Sequence, residues 1–183
     1  MGKPKQLLPW HGTTLINHVI DTIEESIIED LIIVLGYNHQ VIKKQVREWP
    51  AVVINNAWKS GKSASVKCGL GMIPEETDCV VYFTIDQPFI TVSLIEQLVY
   101  AAGRTDAAII ACRCKEIPTV PMLFKRDAFE HIRALKGEEG GKSLLALPNL
   151  PVSFVEILDE RILLDIDTEE DYQKALAVDQ FHN

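Results

Sequence analysis

Short, nearly continuous apolar runs alternate along this chain with stretches that carry an apolar residue at every third or fourth position. "LIIVLG" (31–36), "VVIN" (52–55), "CVVYFT" (79–84) and "AAIIAC" (107–112) read as strands buried on both faces. Between them, "TTLINHVIDTIEES", "HQVIKKQVREW", "SASVKCGLGMI" and "VSLIEQLVYAAG" read as helices, the last capped by Thr91 and stopped by Gly103. Strands that alternate with helices require crossover connections, so the pattern predicts an α/β fold with a mostly parallel sheet.

After Cys112 the pattern loosens into "CRCKEIPTVPMLF". A helix is expected near 126–135, then a Gly-rich turn, then a hairpin-like pair, "VSFVEIL" and "RILLDI", joined at Asp159-Glu160. A closing helix follows "DIDT". No repeat, low-complexity segment or linker interrupts the 183 residues, so one domain spanning 1–183 is expected.

Composition narrows the function classes. Apolar residues make up 47% of the chain and charged ones 24%, as in an ordinary globular protein. No apolar run approaches the roughly 20 residues that cross a bilayer, and no export signal is evident, so the expected location is the cytoplasm. A net charge of −8 argues against nucleic acid and anionic membranes as partners. A phosphate ligand would need locally placed cations or a metal. None of the four cysteines forms a Cys-x-x-Cys pair; they are expected to be reduced, with Cys79 and Cys112 buried as small hydrophobes.

In open α/β sheets ligands gather at the carboxyl ends of the strands, which directs attention to a few segments. "FTIDQPF" (83–89) places Asp86 just past a buried strand, with Pro88 stiffening the exit. A single carboxylate there suits Mg²⁺, which completes its shell with water and phosphate; a turn-capping Asp is the competing reading. In "LLDIDTEEDY", Asp165 and Asp167 lie two apart in an extended segment and share a face, while Thr168 and Asp171 resemble a helix start. "NNAWKSGKSASVKCGL" offers Asn56, Ser65 and a helix N-terminus to an anion or a polar base edge, or is simply a capped helix.

Two segments imitate a phosphate-binding P-loop without satisfying its spacing. With four residues between its two glycines, the motif would require a glycine where Asn56 stands ahead of Gly61, and where Lys136 stands ahead of Gly141. The five histidines (His11, His18, His39, His131 and His182) show no metal or catalytic spacing and read as surface or core residues.

Together "MGKPKQLLPWHGTTLINHV", "VINNAWKSGKSASVKCGL", "IDQPFIT", "VPMLF", "EEGGKSLL" and "DIDTEEDY" resemble, in order, the molybdenum-cofactor nucleotidyltransferase family. The resemblance is greatest to its molybdopterin cytidylyltransferase-like branch, which includes accessory proteins of purine-catabolic xanthine dehydrogenases. It implies a three-layer, Rossmann-like, glycosyltransferase-A-like fold. It also implies a nucleotidyltransferase that joins CMP from CTP, favoured over GTP, to molybdopterin with release of pyrophosphate, in support of a partner molybdenum oxidoreductase. By the same resemblance Lys5, with Lys3, contacts the triphosphate, Asn56 and Ser65 lie near the nucleotide, and Asp86 binds Mg²⁺ with Asp167 and Asp165.

The family signature ahead of "KPK" is matched only at its end, so the resemblance implies an N-terminally incomplete domain without the first strand and glycine-bearing loop. Ile85 stands where the family carries Gly, and Val120 where it carries His in a Gly-His-Pro motif. These departures keep two alternatives open: a catalytically impaired cofactor carrier, and a sugar-phosphate nucleotidyltransferase of the same fold.

Overall fold

The computed structural model describes residues 3–180. Met1, Gly2 and His182 of the sequence reading lie outside the described residues. The chain enters through a 3₁₀ turn (Lys5–Leu7) and a small hairpin of β1 (Pro9–Trp10) and β2 (Thr13–Thr14). His11 and Gly12, both at positive φ, form the two-residue turn that suits a twisted ribbon. Thr14 then caps α1 (Leu15–Glu24), accepting from Asn17 N–H at 3.4 Å. Next come β3 (Ile32–Leu35), α2 (His39–Lys43), β4 (Ala51–Ile54), α3 (Lys62–Leu70) and β5 (Cys79–Tyr82). The order continues with α4 (Val92–Ala102), β6 (Ile109–Cys114), β7 (Ile117–Lys125), α5 (Phe129–Ala134), β8 (Val152–Glu156) and α6 (Glu169–Gln180).

β3 and β4 pair in parallel, and a four-stranded sheet runs β5-β7-β6-β8. Within the latter β5, β6 and β8 point one way and β7 runs against them. The predominantly parallel α/β plan of the sequence therefore holds, with one reversed strand inside it. Alternation of side chains along the strands sorts the core into two faces. Ile109, Ala111, Met122 and Phe124 meet α5 and Leu70 of α3 on one face, while Ile110, Cys112 and Leu123 meet α4 and α1 on the other. Helices cover both faces, which makes three layers. Thr91 caps α4, accepting from Leu94 N–H at 3.2 Å, and Gly103 ends it, as the sequence indicates.

Four expectations are corrected. The stretch after Cys112 is a hairpin, not a loosened loop: Lys115 and Glu116 take positive φ of 48° and 64° and return the chain as β7. "RILLDI" forms no strand; Glu160–Leu163 is a 3₁₀ turn started by Asp159, whose carboxylate accepts from Arg161 N–H at 3.0 Å. "HQVIKKQVREW" is α-helical only over His39–Lys43. Cys79 is exposed at the start of β5, whereas Cys112 is fully buried and its thiol pKa is pushed up to about 12 by desolvation.

Candidate active site

The N-terminal turn and the C-terminal helix are drawn together by apolar packing. Leu8, Trp10 and Leu15 share a cluster with Ile166, Tyr172 and Ala175, and the Tyr172 hydroxyl donates to Pro9 O at 2.5 Å. This cluster fixes Lys5 opposite the segment 165–167. On the sheet side, Ile166 N–H donates to Asp86 O at 2.8 Å, which ties that segment to the loop leaving β5. Three residues far apart in sequence are thereby brought to one point.

That point is the Lys5 ammonium. It donates to Asp86 Oδ2 at 2.9 Å and to Asp167 Oδ1 at 2.8 Å. Burial lowers the affinity of Lys5 for its proton, but the hydrogen bonds and charges of Asp167 and Asp86 outweigh it, so its pKa rises above the ordinary value. Burial likewise raises Asp86, yet hydrogen bonds from Thr84 and Lys5 and the Lys5 charge hold its carboxyl below the ordinary range. At neutral pH the trio carries one positive and two negative charges, a net deficit of one positive charge.

Beside the trio opens a cleft of about 420 Å³, lined by Lys3, Lys5, Gln6, Gly36, Tyr37 and Asn38 among others. It sits at the carboxyl end of β3, where an open α/β sheet gathers ligands. Lys3 is exposed on its rim.

Asp165 is held elsewhere. It accepts from Gln87 Nε2 at 2.6 Å, and the same amide nitrogen donates to Thr119 Oγ1 at 3.1 Å. Sharing a face with Asp167 therefore does not bring Asp165 onto Lys5; the side chains diverge to different partners. Gln87 and Thr119, 3% and 1% exposed, form a buried polar pair that the motif reading passed over because neither ionises. Ser65 accepts from the buried Asn55 Nδ2 at 3.0 Å, and Asn55 Oδ1 accepts from Ala57 N–H at 2.9 Å. The neighbouring Asn56 is exposed on the turn. The burial signal that picks out Asn55 is its place directly after the last residue of an apolar strand.

Two of the histidines are brought together by the fold. His11 and His18, seven apart, meet with ring centroids 5.1 Å apart beside Trp10. Among the described residues no group of three His, Cys, Asp or Glu side chains could hold a metal unaided. Asp86 and Asp167 nonetheless present two carboxylate oxygens to one point, a hard-oxygen pair of the kind that Mg²⁺ or Mn²⁺ accepts when phosphate and water complete the shell. The residues fit such an ion.

A two-faced α/β sheet thus carries a cation and two carboxylates at its ligand edge. The chain belongs to the family of the MobA-like NTP transferase domain, whose model matches residues 1–153. It is a nucleotidyltransferase of MobA-like type. In sequence it is 26% identical to nicotine blue oxidoreductase of Paenarthrobacter nicotinovorans, over 94% of this chain and 88% of that one. In fold it is similar to Rv0371C of Mycobacterium tuberculosis H37Rv in complex with manganese, with a TM-score of 0.82 and 23% identity over 95% of this chain and 91% of that one. Molybdopterin-guanine dinucleotide biosynthesis protein A of Archaeoglobus fulgidus shares the fold with a TM-score of 0.71 and 18% identity, over 98% and 92% of the two chains.

Proposed function

We propose that this domain transfers a nucleotide, CMP from CTP, to molybdopterin and releases pyrophosphate. The observation that carries the reading is the bridging of Asp86 and Asp167 by Lys5 at the mouth of the cleft. A divalent cation, Mg²⁺ in this reading, would be held by Asp86 and Asp167 and would supply Lewis-acid stabilisation of charge on the phosphates.

Were that cation held, Asp86 and Asp167 would be neutralised by it and Lys5 would be free to pair with the triphosphate, so that the site would offer an anionic substrate a net positive charge. Lys3 on the rim adds a second cation. Asn56 and Ser65 belong to the turn and helix start expected to face the nucleotide. Beyond Asp86, the Gln87 amide, the Thr119 hydroxyl and the Asp165 carboxylate form a polar patch suited to a hydrogen-bonding acceptor such as a pterin. A phosphate oxygen of the acceptor attacks the α-phosphorus; the bond from that phosphorus to the oxygen of the β-phosphate breaks, and pyrophosphate leaves. The contribution of this chain is alignment and charge neutralisation.

The test is titration calorimetry of CTP, GTP and ATP with Mg²⁺, followed by pyrophosphate release with molybdopterin and with a sugar phosphate. Binding that prefers CTP, with release only when molybdopterin is added, is the expected result. Release with the sugar phosphate alone would reassign the acceptor. Binding of molybdopterin without any nucleotide binding would replace transfer by cofactor carriage for a partner molybdenum oxidoreductase.

A further inference from the structure

The turn after β4 folds back over the exit of β3. The two strands are parallel, so their carboxyl ends leave the sheet side by side. β3 is followed by Gly36 and Tyr37, and β4 by Asn55 and a 3₁₀ turn over Trp58–Ser60. The buried Asn55 fixes this turn from within: its Oδ1 accepts from Ala57 N–H at 2.9 Å, and its Nδ2 donates to Ser65 Oγ at 3.0 Å. Trp58 is thereby laid on Gly36. A Cβ at Gly36 would lie 2.7 Å from Trp58 Cβ, closer than side chains tolerate, so glycine at this position is what admits the indole.

The indole in turn backs Tyr37. Their ring centroids are 5.2 Å apart with the planes tilted by 50°, and Lys59 Nζ lies 5.5 Å from the Trp58 ring centroid. Tyr37 is nonetheless 67% exposed, and it lines the cleft that Lys3 and Lys5 also line. Exposure of an aromatic ring does not by itself make a site. Tyr100 is just as exposed, but it lies on α4 with the Arg104 guanidinium across its ring. Tyr37 differs in being a supported ring in a concave place. The cleft has two unlike ends as a result. Tyr37 meets the turn after β4, whereas Lys5 is drawn to Asp86 after β5, so one end is aromatic and the other carries an ammonium group.

We infer that Tyr37, backed by Trp58, is the surface on which the base of the nucleotide stacks, with the phosphates directed to Lys5. The inference rests on the transferase reading for the ligand, a nucleoside triphosphate, and adds the residue that holds its base. A planar heterocycle joined to a chain of phosphates matches an aromatic end beside an ammonium end, and a cleft of about 420 Å³ is of a size that takes a small-molecule ligand. Every base has a π face, so stacking on a tyrosine ring is tolerant of base identity. Tyr37 therefore contributes affinity and position to cytosine and guanine alike, and a preference between them belongs to groups that reach the base edge. Trp58 is a positioning residue. It restricts the Tyr37 ring before the ligand arrives, which leaves less ordering to be done on binding. The buried Asn55 and the bare Gly36 serve the same end by holding Trp58 in place.

The experiment measures calorimetric binding of CTP, GTP and inorganic tripolyphosphate, each with Mg²⁺, to the full chain and to Tyr37→Ala and Tyr37→Phe. Tyr37→Ala is expected to weaken CTP and GTP binding by about 10-fold or more and to leave tripolyphosphate binding unchanged. Tyr37→Phe keeps the ring and is expected to restore the affinity for both nucleotides. CTP is also expected to alter the emission of Trp58, read as the difference between the parent and Trp58→Phe, whereas tripolyphosphate leaves it unaltered. Parent-like nucleotide affinity in Tyr37→Ala overturns the inference and leaves the transferase reading standing. Equal losses of CTP and tripolyphosphate also overturn it, because Tyr37 then acts through the phosphates or the fold rather than the base. A parent chain that binds tripolyphosphate but no nucleotide removes the transferase reading, and the inference with it.

Discussion

Lys5 and Asp86, 81 residues apart in sequence, meet at 2.9 Å, and each helps to stabilise the other in its charged form. The folded-state pKa of Asp86 is depressed, so its contribution to stability is full above the unfolded carboxylate value and is lost as pH falls through the folded value. Lys5→Met removes the hydrogen bond and the charge that Lys5 offers Asp86 and leaves burial opposed only by the Thr84 and backbone hydrogen bonds, so the folded-state pKa of Asp86 rises. The stability that Lys5→Met loses near neutral pH is therefore expected to shrink as pH falls through the range where Asp86 titrates, giving a shallower acid limb than that of the parent. Circular dichroism across pH 2–7 (about that range, where carboxylates titrate) checks this; coincident acid limbs would show that the pair does not couple.

Asp86→Asn keeps the shape of the side chain and one acceptor oxygen while removing its charge. Lys5 retains Asp167 at 2.8 Å, so Tm should shift by no more than about 4 °C, the equivalent of roughly 1 kcal/mol. Mg²⁺-dependent nucleotide binding should fall by a factor on the order of 100, because one of the two carboxylates that would hold the ion becomes neutral. Calorimetry with and without Mg²⁺ separates the effects. Unchanged metal dependence would remove Asp86 from the metal site.

Much of this site is legible in the sequence, and the reason is local. Asp86 ends a run of apolar residues, and Asp167 precedes a helix start whose cap is formed as read, with Asp171 N–H donating to Thr168 Oγ1 at 3.1 Å. What sequence could not place depends on distant partners. Asp165 and Asp167 share a face by spacing, but Gln87 claims one and Lys5 the other. The hairpin between β6 and β7 escaped because its turn uses Lys115 and Glu116 at positive φ, where Asn or Gly would have announced it. Pro118 and Pro121 further disguised β7, although the register shift near Ala111 and Cys112 accommodates the irregularity.

Gly61 joins two segments that only imitate P-loops. Its φ is +100°, and a Cβ there would lie 2.2 Å from Gly137 O, the carbonyl that accepts from Ser63 N–H at 3.0 Å. Gly61→Ala must either move the loop at Gly137 or release the start of α3, and the new side chain also strains the backbone. A loss of about 2–4 kcal/mol is expected by urea denaturation. Gly140→Ala is the control, since nothing lies within 4 Å of a Cβ there, and should change stability by less than about 1 kcal/mol.

His18 gives the acid side a second component. Its Nε2–H donates to Pro88 O at 3.1 Å, which fixes the neutral tautomer when the ring is uncharged. Burial and the neighbouring His11 lower its pKa; the Pro88 carbonyl and the carboxylates of Asp21 and Asp179 oppose this without reversing it. The unfolded chain therefore binds a proton at His18 more readily than the folded one, and stability falls as pH drops below about 6.5, the ordinary imidazole value, until the folded value is passed. His18→Gln keeps a donor for Pro88 O and cannot titrate, so its Tm should lose the part of the parent's decline between about pH 6.5 and pH 5 that belongs to this ring. A decline identical to the parent's in that window would assign it to other groups.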